Sequence, residues 1–455
     1  MLLCAKADVV MVAKTKLARI LFIFYILIQL KNISACKIIK KKRRNGFFFE
    51  NISYFCIVKH LKMKIKSLLT TAILLSFSYI TPINAHSAPN TENGAFVSVE
   101  SNIDPMDSVE VSLLTCSPHE EIYSLYGHAA IRWHQGSTDL VFNWGMFSFS
   151  KPYFALRFVF GLTDYELAAY PYDTFWPYYQ KWGSSITEQV LNLTNDEKRT
   201  LQQLLGENLR EENRVYRYNF FYNNCSTKPR DIIEKSIEGQ VVYEDREGFQ
   251  PTFREMVREC NRNHLWSKFG NDMLLGVKAD MATTRQEQEF LPVNLMTDFT
   301  RAQIYKDGKY RPLVKEHRLL VPPGVQMIEP DFCLTPTQMA VILLIISICI
   351  ALYEWKSKRI VKWWDVLLMT IQGLAGVVLT VMIFSQHPTT SLNLNLLLFN
   401  PLPLLFIPTV IKGKRSLWTK LLLTMLVLYG LGGILQSYPE GMWIVALCLL
   451  IRCKK

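Results

Sequence analysis

Hydrophobic residues are distributed unevenly along the chain. Two apolar runs lie near the N-terminus, at 17–30 and 68–80, and a group of apolar segments fills the last third. Between them, residues 86–330 mix apolar and polar positions in the way a folded domain does, and they are numerous enough for one sizeable core. The pattern predicts an extramembrane domain followed by a membrane domain.

Five apolar segments of the last third are predicted to cross a membrane. The first, fourth and fifth are short for a span, and prolines interrupt the third. Basic residues follow the first, third and fifth segments, whereas the loops around His387 and Pro439 contain neither Lys nor Arg. The positive-inside rule therefore places residues 86–330 outside and the C-terminus inside. The segments lie at about 338–353, 364–384, 394–411, 421–436 and 441–451.

Residues 63–85 have the form of a signal peptide. Lys64 and Lys66 precede the apolar run at 68–80, and the small Ala85 permits cleavage before His86. This agrees with the topology that the loop charges predict. We interpret residues 1–62 as upstream sequence read in frame, with the true start at Met63; the alternative is an additional N-terminal anchor.

Shorter patterns predict the elements of the exported domain. Alternating residues predict strands at 109–114, 129–133 and 140–144. Thr194 and Glu197 form a capping box, which predicts a helix as far as about Glu211. Residues 215–221 are a strand or an extended entry to the next helix. Further helices are predicted at 225–237, 252–260 and 280–290, and residues 306–336 are interpreted as a connector.

The net charge of +12 first suggests a nucleic-acid partner. Its distribution argues against this, because the basic excess lies in the first 66 residues and in the short loops of the membrane segments. We therefore predict no nucleic-acid binding. The aromatic stretch 153–179 is interpreted either as a rim or groove at the membrane interface, or as an ordinary aromatic core.

Four cysteines lie in the exported domain: Cys116, Cys225, Cys260 and Cys333. None belongs to a CxxC pair, which disfavours a zinc ribbon, and we predict neither a metal nor a cofactor. In an oxidising compartment one or two disulfides are the ordinary expectation. If Cys225 is a free nucleophile, Cys116–Cys260 is the expected bridge.

Cys225 and His128 are the candidates for thiol catalysis. The peptide around Cys225 precedes a helical pattern, so its sulfur is predicted to lie near a helix N-terminus, where free amides favour a thiolate and an oxyanion. Small neighbours leave room beside His128 for a partner side chain. The alternatives are a structural or disulfide-bonded Cys225 and a core or surface His128. His119 and His134 are expected to be exposed.

Polar residues near these two complete the candidate site. Asn143 is predicted to lie on the strand that pairs with the strand of His128 and to orient its ring. Tyr126 and Asn224, in the same two motifs, are candidates for binding substrate. His387 and Asn400 lie at the outer face of the membrane segments and are candidates for binding a head group, the alternative being the capping of helix ends.

The order of the two motifs is similar to that of the circularly permuted papain-like group related to NlpC/P60 enzymes and lecithin:retinol acyltransferase. More closely, the chain resembles the lipoprotein N-acyltransferase family of Bacteroidota over most of residues 107–450. The motifs that carry the resemblance are Tyr126-Gly127-His128, Asn143-Trp144-Gly145, Gly161-Leu162-Thr163-Asp164-Tyr165, Asn219 to Thr227, Phe290-Leu291-Pro292 and Asn400-Pro401-Leu402.

The resemblance implies an α+β class, with a permuted papain-like (NlpC/P60-like) domain at 86–330 followed by a helical membrane domain of about five spans at 331–455. It also implies a multi-pass protein of the bacterial inner membrane whose catalytic domain is periplasmic. Cys225 would take an acyl chain from a membrane phospholipid, with His128 as base. The thioester would then acylate the α-amine of the lipidated N-terminal Cys of a diacylated lipoprotein.

Three other functions fit the same residues. A cell-wall cysteine peptidase or amidase would use the same pair but has no need of several spans. A phospholipase would use water as the acyl acceptor. A non-catalytic envelope assembly protein would hold Cys225 in a disulfide.

Overall fold

The computed structural model describes residues 104–147, 153, 157, 160–246, 248, 250–326, 332–413 and 416–453. The predicted signal peptide and the segment before it lie outside these residues.

The described residues contain a seven-stranded antiparallel sheet in the order β10-β5-β1-β2-β3-β4-β6 and a small sheet in the order β7-β8-β9. Because β1 is an interior strand and is covered on both faces, almost all of its residues are buried. The strands are β1 (Val109–Cys116), β2 (His128–Gln135), β3 (Thr138–Met146), β4 (Asp164–Pro171), β5 (Ile186–Leu191), β6 (Val215–Arg217), β7 (Gln240–Val242), β8 (Gln303–Lys306), β9 (Lys309–Pro312) and β10 (Val314–Val321).

Helices cover both faces of the large sheet. The helices of the extramembrane domain are α1 (Tyr172–Lys181), α2 (Asn195–Leu209), α3 (Glu211–Arg214), α4 (Thr227–Ser236), α5 (Phe253–Cys260), α6 (Leu265–Leu274), α7 (Arg285–Gln288) and α8 (Pro292–Arg301). On one face, α2, α4 and α8 form the main core with alternate residues of the central strands. On the other, Phe175 and Tyr179 of α1 pack against Leu114 and Ala130.

The predicted strands at 109–114, 129–133 and 140–144 and the helices at 194–211, 225–237 and 252–260 are confirmed, with small shifts of their ends. Thr194 and Glu197 make the reciprocal hydrogen bonds of a capping box, as predicted. The helix predicted at 280–290 is wrong: a 3-10 turn ends at Asp280, and only the short α7 follows.

The interpretation of 306–336 as a connector is also wrong. It contains β9 and β10, and β10 is the edge strand that pairs with β5. Half of the residues of β10 are exposed, and charged side chains there replace the apolar alternation that reveals a half-buried strand.

The C-terminal part is helical. Three of its segments, 336–357, 362–383 and 394–411, are long and apolar enough to cross a membrane, and two shorter apolar helices follow among the described residues. This confirms the predicted class of a sheet-rich domain followed by a helical membrane part. The helices are α9 (Pro336–Ser357), α10 (Lys362–Ile383), α11 (Leu402–Ile411), α12 (Ser416–Gly432) and α13 (Met442–Arg452).

Loops between the membrane helices hydrogen-bond to the extramembrane domain. The backbone N–H of Gly276 donates to the carbonyl of Thr389 over 2.8 Å, and that of Val277 donates to Leu392 over 2.8 Å. A side chain on Cβ at Gly276 would meet the Leu392 oxygen at 2.2 Å. Polar side chains add to this contact, since Asn393 Nδ2 donates to the Met273 carbonyl over 2.7 Å. The extramembrane domain is therefore held directly against the membrane helices.

Candidate active site

The candidate residues meet at one end of the large sheet. β1 ends there at Cys116, β2 begins at His128, and β3 ends at Met146. Beyond β3, strand β4 begins at this end of the sheet, and its first residue, Asp164, pairs with Arg217 of β6. The chain then runs from β6 through Cys225 into α4. Because antiparallel pairing aligns these strand ends, motifs that are distant in sequence meet here.

The loop before α4 is fixed by the side chain of Asn224, which is only 3% exposed. Its Oδ1 accepts hydrogen bonds from the backbone N–H groups of Ser226 (2.9 Å) and Thr227 (3.0 Å). Its Nδ2 donates to the carbonyls of Phe220 (2.9 Å) and Phe290 (2.8 Å). All its hydrogen-bonding groups are therefore occupied within the protein, and Asn224 holds Cys225 in place at the start of the helix.

The side chains of Cys225 and His128 lie beside each other, and each acts on the pKa of the other. Burial alone would raise the pKa of the Cys225 thiol, but the charge and hydrogen bond of His128 and the backbone N–H of Ala129 outweigh it, so the pKa lies below its ordinary value. Burial would likewise lower the pKa of His128, but the Cys225 thiolate and Asn143 outweigh it and the pKa is raised. The arrangement favours a thiolate beside an imidazolium.

Asn143 is the third member of this group. It is 7% exposed, and its Oδ1 accepts from Nε2 of His128 over 2.7 Å. This bond leaves Nδ1 of the ring for Cys225. Asn143 Nδ2 donates in turn to the hydroxyl of Tyr170 over 2.5 Å, which fixes the orientation of the amide. The structure thus brings together the three residues that the sequence nominated, in the order sulfur, imidazole, amide.

Gly145 lies against both the side chain of Cys225 and the ring of His128. This residue has φ +118°, and a Cβ there would lie 3.7 Å from both Cβ of Cys225 and Cε1 of His128. It also lies where the pairing of β3 with β4 shifts register, between Trp144 and Met146. The bulge therefore leaves the reacting edge of the site free of a side chain.

Aromatic residues surround the site. The ring of Tyr179 stacks on His128 with centroids 6.4 Å apart, and Tyr165 stacks on Tyr218 at 4.1 Å. Burial raises the pKa of Tyr165 and Tyr218, and the negative charge of Cys225 adds to both shifts. The part of the aromatic stretch 153–179 described here thus contributes to the lining of the site, but its sequence did not identify Tyr170 or Tyr179 as neighbours of the histidine.

His119 is buried, which corrects the expectation that it is exposed: 3% of it is accessible. Its ring stacks on Trp182 with centroids 5.2 Å apart, and its Nδ1 is hydrogen-bonded to Ser124 Oγ at 2.8 Å. Burial, with a smaller contribution from the charge of His128, lowers the pKa of His119 to about 4. This histidine is therefore neutral at pH 7 and belongs to the aromatic packing next to the site.

The remaining candidates are Tyr126, His387 and Asn400. The hydroxyl of Tyr126 accepts hydrogen bonds from Asn261 (2.8 Å) and Asn271 (3.2 Å). His387 follows the end of α10, and the amide of Asn400 caps the start of α11 by accepting from the Leu402 N–H over 3.2 Å. Their predicted roles in binding substrate stay predictions.

The expected Cys116–Cys260 disulfide is wrong, because both residues are free thiols, as is Cys225. Cys116 is buried in β1 and hydrogen-bonds with Tyr179, and burial raises its pKa. Cys260 ends α5 near Tyr126. The two sulfurs therefore belong to different packing environments.

Two family models match the chain. The model described as the Lnb N-terminal periplasmic domain matches residues 96–259, and the model described as the Lnb transmembrane domain matches residues 328–455. No curated protein and no solved structure matches. The permuted papain-like topology therefore stays a prediction, whereas the order of a periplasmic and a transmembrane domain agrees with the fold described above.

Proposed function

Because the chain belongs to the Lnb family, a family of lipoprotein-modifying membrane enzymes with a periplasmic domain, we propose that it is a lipoprotein N-acyltransferase of the inner membrane that works through Cys225. The observation that carries the proposal is the group of Cys225, His128 and Asn143, at the sheet end that contacts the loop after α10. The donor is a membrane phospholipid and the acceptor is a diacylated lipoprotein.

In the first step, the Cys225 thiolate attacks an ester carbonyl of the phospholipid. The carbon–sulfur bond forms and the carbon–oxygen bond to glycerol breaks. The His128 imidazolium gives its proton to the departing alkoxide, which leaves as a lysophospholipid. The oxyanion of the tetrahedral intermediate lies beside the backbone N–H groups of Cys225 and Ala129, which also stabilise the thiolate.

In the second step, the α-amine of the lipidated N-terminal Cys of the acceptor attacks the thioester. Neutral His128 takes a proton from the amine, the amide bond forms, and the Cys225 thiolate leaves. The protein returns to its starting state, so its own side chains suffice for the proton transfers. Asn143 keeps Nε2 of the ring occupied and Nδ1 directed to the sulfur throughout.

The acceptor must be an amine rather than water, and the surroundings of the sulfur support this. The rings of Tyr165, Tyr179 and Tyr218 lie beside Cys225 and His128, both of which are partly buried. A site that excludes water slows hydrolysis of the thioester, while an amine that is carried in by its own lipid chains reacts readily. This supports the proposed transferase over a phospholipase with the same catalytic group.

The test uses the purified full-length protein with phospholipid and a diacylated lipopeptide, followed by mass spectrometry. We expect one additional N-linked acyl chain with the wild type and none with Cys225→Ser. Cys333→Ser removes an exposed thiol instead and is expected to behave as the wild type. Acylation by Cys225→Ser would contradict the mechanism, and free fatty acid in place of acylated peptide would identify a phospholipase.

A further inference from the structure

We propose that Arg157 and Arg217, together with Gln386, bind the phosphate group of the phospholipid that donates the acyl chain. The proposal rests on the proposed function and adds the residues that recognise its lipid donor. It concerns a cluster that lies outside the catalytic group, at the edge of the same end of the sheet.

Both guanidinium groups are held in place by one carboxylate. Nη2 of Arg157 donates to Oδ2 of Asp164 over 2.7 Å, and Nε of Arg217 donates to Oδ1 over 2.8 Å. Nε of Arg157 also donates to the Leu162 carbonyl over 3.2 Å. Two positive groups thus face one negative group, so the cluster has an excess of one positive charge. Its guanidinium groups are already held in position.

The cluster also has N–H groups to offer a ligand. Within the described part of the chain, Nη1 of Arg157 and Nη2 of Arg217 make no hydrogen bond. The two side chains are 36% and 46% exposed, whereas that of Asp164 is 26% exposed. A guanidinium with free N–H groups matches the oxygens of a phosphate, and the single charge of a phosphodiester balances the excess.

Contacts with Gln386 determine the depth of the cluster relative to the membrane. It lies three residues beyond Ile383, where the membrane-directed helix α10 ends. Its backbone N–H donates to the Phe160 carbonyl over 2.9 Å, and its Oε1 accepts from Nη1 of Arg217 over 3.4 Å. The arginines are therefore level with the end of a span, which is the depth of lipid head groups.

The neighbouring apolar side chains agree with this depth. Phe384, at the end of α10, is 74% exposed, and Leu162, beside the cluster, is 36% exposed. Exposed apolar residues next to basic ones are typical of a surface that meets the boundary between head groups and hydrocarbon.

The cluster is also close enough to Cys225 to hold the same lipid molecule. Gly145 of β3 approaches Cys225, and β4, which carries Asp164, is the next strand, about 4.8 Å away. Asp164 lies on the sheet face of Asn143, since Asn143 pairs with Ala168 and the two β4 residues are an even number apart. A phosphate at the arginines thus places the glycerol esters, a few bonds away, toward the catalytic group.

This site would separate donor from acceptor. A phospholipid carries a phosphodiester, whereas the diacylglyceryl group of a lipoprotein carries none. While Cys225 is free, binding of the phosphate at the cluster therefore favours the donor. The acceptor, which reacts after the lysophospholipid has left, gains no binding energy from the cluster.

The test measures the rate at which Cys225 of the full-length protein is acylated, by mass spectrometry, in detergent micelles that contain increasing amounts of phospholipid. For Arg157→Gln and Arg217→Gln we expect KM to rise about tenfold each, with kcat nearly unchanged, because a charge-assisted hydrogen bond to the ground-state lipid is lost. Acylation by a p-nitrophenyl ester, which has no phosphate, is expected to stay the same in both variants.

Arg301→Gln is the matched control, because Arg301 pairs on the surface with Glu244 and both are more than half exposed. Equal slowing of both donors in Arg157→Gln and Arg217→Gln would show a structural role and overturn the proposal, as would an unchanged KM for phospholipid. Strong inhibition of the wild type by submillimolar inorganic phosphate would identify a site for the free anion and also overturn it. A wild type that neither donor acylates would instead contradict the proposed function.

Discussion

At Cys225 and His128, burial and charge act in opposite directions on both pKa values, and charge prevails at each. The thiol pKa lies below its ordinary value and the imidazole pKa above its own. Attack requires the thiolate, so acylation rises with pH through the lowered thiol pKa. Protonation of the leaving alkoxide requires imidazolium, so acylation falls as pH rises through the raised pKa of His128. We expect a bell-shaped rate profile, measured as thioester formation on Cys225; a rate that rises without an alkaline limb would contradict the role of His128.

Asn143→Ala removes the acceptor of the Nε2–H bond. The imidazolium loses a partner, so the alkaline limb of the profile moves to lower pH, and the acylation rate falls about tenfold to a hundredfold. Tyr170→Phe leaves that acceptor in place and removes only the partner of the amide, so a smaller loss is expected. If the two variants lose equal activity without a shift of the alkaline limb, Asn143 does not act on the histidine.

Sequence could nominate these three residues because each lies in a short local pattern: a small-residue neighbourhood around His128, a helix start after Cys225 and a paired strand for Asn143. The structure brings them together, and their catalytic roles stay a proposal. Tyr170 and Tyr179 carry no such signal. Their proximity to His128 follows from strand register and from the packing of α1, which are long-range properties. Arg157 and Arg217 become neighbours only through the same pairing, at Asp164.

At the level of elements, the bulge that ends β3 determines how closely the nucleophile and its base approach. Gly145→Ala introduces a Cβ at φ +118°, where L-residues are strained at a cost of about 1–3 kcal/mol, and it adds van der Waals contact with both Cys225 and His128. We expect lower thermal stability together with a large loss of acylation rate.

Gly136→Ala is the control for that variant. Gly136 has φ +55° in the turn between β2 and β3, and a Cβ there would meet nothing within 4 Å. It is therefore expected to lose some stability, measured as the thermal midpoint, and to keep its activity. Loss of activity in both variants alike would mean that the hairpin as a whole, rather than the bulge, sets the geometry of the site.

Strands β1 to β3 were predicted because apolar alternation and a two-residue turn are local signals. β10 was missed because its edge position allows four consecutive polar or charged residues, Lys315, Glu316, His317 and Arg318. Arg318 pairs with Glu110 of β1 across β5, so the partner of these charges lies 208 positions away in the sequence. An edge strand held by such ion pairs has no apolar pattern to reveal it.

At the level of the whole molecule, backbone hydrogen bonds join the two domains around Gly276. Gly276→Ala would place Cβ 2.2 Å from the Leu392 carbonyl oxygen, so the loop that follows α10 must move. We expect acyl transfer from phospholipid to fall at least several-fold, while alkylation of Cys225 by iodoacetamide keeps its rate, because the catalytic group itself is untouched.

Gly206→Ala is the matched control, since Gly206 lies within α2 and a Cβ there would meet nothing within 4 Å. It is expected to leave both rates unchanged and to raise stability by about 0.5–1 kcal/mol. Equal losses of transfer and of thiol alkylation in Gly276→Ala would show that the contact supports the fold of the site rather than its position at the membrane.

The hydrogen bond from Gln386 to the Phe160 carbonyl joins the outer end of α10 to the edge of the sheet that carries Arg217 and Cys225. Neither the proposed phosphate site nor the sulfur can then shift in depth independently of the other. A glycerophospholipid has two ester carbonyls at different distances from its phosphate. A fixed spacing selects one of them, so the reaction would be regioselective, and the lysophospholipids that accumulate would all keep their remaining chain on the same glycerol carbon.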